Sequence, residues 1–182
     1  MLLRRTATGP SPIGLIEAKE HLRVDSTDED SVIAMMLESA VAMVGDMAGR
    51  ALTSETWVLA CQSIVGDLVL PKSPVTDVTG ISYYNASDVL QTASLSEYYV
   101  FSSDDRATVR PKSGVWPSYS TRADAVQVTF TCGYAAIPAG LRAAVLLALG
   151  DLYAGRGDTE GGKATATIEA LVSQHRLDWF AA

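Results

Sequence analysis

Apolar residues fill the stretch 137–153 almost without interruption. Pro138 suits the first turn of a helix, Ala and Leu dominate the interior, and glycines follow the end. The two charged residues, Arg142 and Asp151, are nine positions apart, which at ~100° per residue places them on opposite sides of the helix. A surface helix normally has one apolar stripe and one polar face. The pattern therefore predicts a helix that needs cover on nearly every side.

Two further helices are predicted upstream, a short one at about residues 15–22 and a long one at about 28–48. The long helix has apolar residues at three- and four-residue spacing, which defines one continuous stripe. Met35, Val41 and Ala42 lie outside that stripe and form a second, weaker apolar strip, which indicates a partner beyond the helix's own core. Met35 and Val41 are therefore candidate subunit contacts. Arg142 and Asp151, on opposite sides of the apolar helix, are candidates for contacts with different neighbouring subunits.

The hydrophobic period changes to two between residues 53 and 134, as in half-buried strands. Five strands are predicted there: 56–61, 67–70, 78–84, 98–101 and 125–130. Residues 1–12 and 110–117 are expected to be irregular. The strands do not alternate with helices, so the predicted class is α+β. The predicted arrangement is a helical bundle with an antiparallel β unit of five or six strands, inserted between the long helix and the apolar C-terminal helix.

A glycine-rich segment at 155–164 predicts a flexible hinge before a C-terminal tail at 165–182. From about 167 to 180 the tail is amphipathic and ends in aromatic residues. Such a tail either docks on a partner or folds back onto the chain's own sheet, and the pattern leaves both alternatives open.

The 182 residues carry a formal net charge of −7, which argues against a general nucleic-acid binder, because such a surface is basic. No membrane partner is expected, because the apolar C-terminal helix is broken at Asp151 and a spanning helix needs about 20 mostly apolar residues. The N-terminus lacks the apolar core of a signal peptide, which predicts an intracellular protein. Cys61 and Cys132 fall in predicted strands and are expected to be buried free thiols.

The sequence contains no complete motif for catalysis, metal binding or cofactor binding. The acidic cluster 25–31 has Asp30 where a calcium loop needs Gly and Met36 where it needs Glu. Gly157 and Gly162-Lys163 have the spacing of a phosphate-binding loop, but Ala164 stands where that loop needs the Ser or Thr that binds magnesium. The two histidines are far apart in sequence. We therefore predict a non-enzymatic protein with no cofactor and no metal.

The order of elements resembles the head–tail connector (adaptor) proteins of tailed bacteriophages and phage-derived gene transfer agents. The likeness covers residues 12–156, and no single piece of it is diagnostic. It departs from the family at Gly14 and in the glycine-rich hinge. The segments that carry it are LIEAKEHLRV (15–24) before the acidic cap, GRALT (49–53) before Trp57, Leu70-Pro71, VTGISYY (78–84), Gly133-Tyr134 and IPAGLRAAVLL (137–147).

The resemblance implies a single connector domain over residues 1–182 that assembles as a ring, with twelve copies in the particle. The ring lies beneath the portal protein, extends the DNA channel without sequence-specific binding, and contacts a tail-side stopper or terminator protein. The implied location is the neck of a virion assembled in the bacterial cytoplasm. By the same analogy the tail docks on the portal, through Ile168, Leu171, Val172, His175, Arg176, Leu177, Trp179 and Phe180.

Two other classes of function remain open at this stage. One is a non-enzymatic α+β module that binds a ligand or peptide, with the tyrosine-rich strands lining a pocket. The other is an enzyme with an unrecognised site that pairs His175 with Asp151 or Asp178. A pocket with convergent polar groups favours the first, and a histidine–carboxylate cleft favours the second.

Overall fold

The computed structural model describes residues 1–155 and 165–177, which form an α+β fold and confirm the predicted class. They divide into two compact units. The β unit comprises Met1–Gly9 and Thr53–Tyr134. The helical unit comprises Pro10–Leu52 and the described residues from Ala135 onward.

Four helices make up the described part of the helical unit: α1 (Leu15–Leu22), α2 (Asp30–Ala48), α3 (Ala139–Ala154) and α4 (Thr165–Ser173). α2 and α3 pack against each other, and α1 and α4 each contact both of them. Gly49 ends α2 with φ 68°, a left-handed conformation in which glycine has no steric penalty. The three upstream helices lie close to the bounds that the sequence predicts, because their apolar spacing and end residues agree with each other.

The apolar helix α3 is covered only in part. Its buried residues are Leu141, Ala144, Val145, Ala148 and Leu149. Leu146 and Leu147, on the opposite side of the helix, are half-buried. Leu152 is on the buried side but near the helix end, and it is 37% exposed. The described residues therefore leave the side of Leu146 and Leu147 incompletely covered.

By length and composition, α2 could cross a membrane. Core helices pass the same test, and seven of the residues in α2 are buried: Ile33, Leu37, Ala40, Val41, Val44, Gly45 and Ala48. Its contacts with α1, α3 and α4 are those of a core helix.

The β unit contains two antiparallel sheets. The larger sheet has the order β1-β2-β8-β4-β5, from β1 (Leu2–Thr8), β2 (Glu55–Cys61), β4 (Val75–Tyr84), β5 (Leu90–Ala93) and β8 (Val126–Cys132). The smaller sheet has the order β3-β7-β6, from β3 (Leu68–Leu70), β6 (Tyr98–Ser102) and β7 (Ala107–Pro111). The central strand β8 buries alternate residues, which gives the sheet its apolar face.

Two segments predicted to be irregular contain strand residues. Residues 2–8 form β1, which pairs with β2 about 50 positions later, so no local pattern predicts it. β7 ends at Pro111, so only the first two residues of the predicted loop 110–117 are in a strand, and residues 112–117 are irregular as predicted. Proline fits at this position because the bond to Glu97 O, just before β6, is donated by Lys112 N, and β3 begins only opposite Val109.

Candidate interaction surfaces

The two histidines lie against glycines of α3. A methyl group added at Gly140 would lie 3.1 Å from His175 Nε2, and one at Gly150 would lie 3.7 Å from His21 Nε2. Among residues 1–155 and 165–177, no group of three His, Cys, Asp or Glu side chains is placed to hold a metal ion. His175 is half-buried and thus takes part in helix packing, whereas His21 is exposed. The candidate sites are surfaces of the described residues.

The first of these is the tail, and here the structure corrects two predicted docking residues. Ile168 is 3% exposed and Val172 is fully buried. Both are on α4, which packs on α3 and α2. Their side chains complete the helical unit, so they are not available to a portal protein. The described part of the tail therefore folds back onto helices of its own unit.

Three hydrogen bonds hold the described end of the tail against the end of α2. Arg50 Nε donates to the backbone oxygen of His175, and Arg50 itself is buried. Arg176 Nε donates to Met47 O at 3.2 Å, and Leu177 N donates to Ala48 O at 3.1 Å. The last two bonds satisfy carbonyls of Met47 and Ala48, which the end of α2 leaves without intrahelical partners.

The other predicted docking residues differ in accessibility. Leu171, His175 and Leu177 are half-buried, and Arg176 is exposed. Trp179 and Phe180, like Asp178 and the hinge residues 156–164, lie outside the described residues.

The four predicted subunit contacts also differ in their exposure and in their contacts within the chain. Met35 is 61% exposed, as a contact residue should be. Val41 is 7% exposed, which corrects its assignment: it belongs to the buried side of α2. Arg142 forms a bidentate ion pair with Glu17 of α1, so its charge is already paired within the helical unit. Asp151 is half-buried and borders an apolar groove.

That groove lies between α2, α3 and α4 and has a volume of about 180 Å³. Its lining residues are mostly apolar: Met43, Met47, Ala148, Asp151, Leu152, Thr165 and Ile168. Cavities that enclose small-molecule ligands measure roughly 300–1,000 Å³ and present several convergent polar groups. With two polar residues and a smaller volume, the groove does not favour a ligand-binding module.

A second exposed apolar surface lies on strand β6, where Tyr99, Val100 and Phe101 are all exposed. The Tyr99 and Phe101 rings lie 5.9 Å apart, and Lys112 Nζ lies 5.2 Å from the centre of the Tyr99 ring. The sequence predicts the strand but not this exposure, because three successive apolar residues are typical of a strand buried on both faces.

Both cysteines are buried free thiols, as predicted. Burial raises the pKa of Cys61, and it raises the pKa of Cys132 to about 12. Since the thiolate is the reactive form, neither residue is activated for chemistry.

No protein-family model matches this chain, and no curated protein matches it. Among solved structures, it is similar to a chain in the neck of an empty gene transfer agent (GTA) particle computed with C6 symmetry, with 24% identity and a TM-score of 0.83 over 97% of this chain and 96% of that one. It is also similar to chains in the virion of a native GTA particle, with 23% identity and a TM-score of 0.82, and in the neck of a native GTA particle computed with C12 symmetry, with 24% identity and a TM-score of 0.81. Both of these alignments again cover 97% of this chain and 96% of the other. The chain therefore shares the fold of chains in GTA particle structures.

Proposed function

We propose that this protein is a structural head–tail adaptor of a tailed phage or phage-like particle. It forms a ring under the portal, extends the DNA channel and provides the platform on which the tail docks. The observation that carries the proposal is the shared fold: almost the full length of this chain superposes on a chain of a GTA particle neck, with a TM-score of 0.83.

The ring is supported by the symmetries of those necks, C6 and C12, and by the surfaces of the chain itself. Met35 on α2 and Leu152 on α3 are exposed apolar residues of the helical unit. A closed ring uses two different surfaces of each subunit, one for each neighbour. Twelve copies are consistent with the C12 neck.

Portal docking is proposed for the end of the tail. Ile168 and Val172 are buried inside the helical unit, so the proposed docking group is Arg176, which is exposed although its Nε also donates to Met47 O, together with Trp179 and Phe180. Aromatic and arginine side chains supply most of the binding energy at protein interfaces, so this short group is chemically suited to the role.

The acidic charge fits a channel that DNA must cross without sticking. A net charge of −7 per subunit becomes a large negative potential when many subunits surround one duplex. Like-charge repulsion keeps the DNA from binding the wall. No cofactor, metal or catalytic step is needed for any of these roles, and we propose that the protein is not an enzyme.

Particles produced without this chain test the proposal. DNA-filled heads should accumulate without attached tails, because the portal then lacks the ring that the tail-side stopper or terminator protein binds. Electron microscopy of negatively stained particles measures the tailed fraction. Supplying the unmodified chain should restore it, and a normal tailed fraction in its absence would contradict the proposal.

A further inference from the structure

The free edges of the two sheets differ in length. Within residues 1–155 and 165–177, the edges are β1 and β5 in the larger sheet and β3 and β6 in the smaller one. β3 has three residues and β5 four, whereas β6 has five and β1 seven. Short edge strands protect a sheet from pairing with another chain, and long exposed ones invite it. β1 and β6 are thus the edges able to pair.

Strand β6 has the exposure of an edge that a partner covers. Tyr99 is 48%, Val100 42% and Phe101 56% exposed, so apolar side chains project from both faces of one strand. The strand carries no charged residue and no proline, two features by which natural edge strands prevent association.

The hydrogen-bond alternation of β6 shows which backbone groups are free. Lys112 N donates to Glu97 O and Ser103 N donates to Arg106 O, and bonded pairs alternate along an antiparallel ladder. Tyr99 and Phe101 therefore direct their backbone groups to β7. Val100 and Ser102 direct theirs to the free edge.

Strand β1 provides a complementary edge. It is exposed along almost its full length and pairs only with β2 among the described strands. Residues 2–9 include Arg4 and Arg5 and no acidic residue. Arg5 is paired with Glu55 of β2 at 3.0 Å, so Arg4 is the charge that β1 offers to a neighbour. Residues 94–105, around β6, include three acidic residues and no basic one. Pairing two β6 strands would bring like charges together, as would pairing two β1 strands. Pairing β1 with β6 brings opposite charges together, which is the stabilising arrangement.

We propose that β1 of one copy pairs with β6 of the next copy, so that the smaller sheet of one subunit continues into the larger sheet of its neighbour. The proposal rests on the ring of the proposed function and names one of its interfaces. Two different edges make a head-to-tail contact, the type that closes into a ring. The contact covers Tyr99, Val100 and Phe101 and satisfies the outward backbone groups of Val100 and Ser102.

A valine-to-proline pair tests the backbone contact. Val100→Pro removes an N–H that points to the free edge and leaves the β6–β7 bonds in place. Val69→Pro is the matched control at the opposite edge of the same sheet. Val69 lies opposite Thr108, which directs its backbone groups to Phe101 of β6, so the backbone groups of Val69 point away from β7. Ring formation by the purified chain, alone or with the portal protein, is measured by mass photometry. We expect Val100→Pro to raise the concentration needed for half-assembly by roughly tenfold or more, and Val69→Pro to leave it unchanged.

Cross-linking tests the same contact without relying on a destabilising change. In the Thr6→Cys/Val100→Cys double variant, a short bismaleimide should join neighbouring subunits of the ring into a ladder of multimers on denaturing gels. Thr6→Cys/Val69→Cys should give no ladder, and the native cysteines are too buried to react. Rings that form normally with Val100→Pro, or equal ladders from both double variants, would overturn this inference and leave the adaptor function standing. If the unmodified chain forms no ring, both fail together.

Discussion

Deletion of residues 165–182 is expected to destabilise the helical unit severely. α4 buries Ile168 and Val172 against α3 and α2, and each buried side chain of this size contributes about 1.5–3 kcal/mol. The deletion also exposes the apolar sides of α2 and α3 that α4 covers. The expected loss of about 3–6 kcal/mol is a large part of the 5–15 kcal/mol typical of a domain. Thermal unfolding followed by circular dichroism measures it.

A shorter truncation separates folding from docking. Deletion of residues 178–182 retains α4 and the bonds from Arg176 and Leu177 to the end of α2. Its midpoint of thermal unfolding should stay within about 2 °C of the full chain, which corresponds to under 1 kcal/mol. Portal binding should weaken if Trp179 and Phe180 form the docking group. An unchanged unfolding midpoint after the longer deletion would show that the packing of α4 contributes no stability.

Gly133→Ala is the point substitution with the largest expected effect. Gly133 follows β8 with φ 116°, and a Cβ there would lie 2.0 Å from the backbone oxygen of Thr53. Both the left-handed backbone and the overlap penalise any side chain, because the main chain before β2 would have to move. We expect a loss of at least about 3 kcal/mol in the free energy of unfolding, measured by urea denaturation.

Gly80→Ala is the matched control for this substitution. Gly80 is in β4 of the same sheet, and the nearest heavy atom to its added Cβ is Thr129 Cβ at 3.9 Å, an ordinary contact. This change should alter stability by under about 1 kcal/mol. Equal effects of the two substitutions would show that the close approach at Gly133 is not a constraint on the fold.

Most of this fold can be predicted from the sequence because the local residue pattern is enough to predict most of its elements. α1 and α2 follow from apolar spacing, and β8 follows from strict alternation. α3 follows from its nearly unbroken run of apolar residues between Pro138 and the glycines that follow. β1 could not be predicted in the same way, because its alternation is weak and its stability comes from pairing with a strand about 50 residues away. The local residue pattern likewise does not predict the turn of 3₁₀ helix at Leu95–Glu97, before β6.

The interaction surfaces are harder to predict, because a pattern shows that a residue is apolar without showing what covers it. Val41 and Met35 both lie outside the main stripe of α2, yet one is buried and the other exposed. Likewise the amphipathic tail is evident, but only packing shows that Ile168 and Val172 face α2 and α3. Tertiary neighbours decide both cases, and no local property of the sequence encodes them.

If the proposed function is right, copies of this chain form a ring beneath a portal. The most direct test is electron microscopy of the purified chain, concentrated and then mixed with the portal protein of the same particle. We predict closed rings that stack coaxially on the portal, with β1 and β6 of neighbouring copies in contact. A chain that stays monomeric at every concentration and does not bind the portal would contradict the claim.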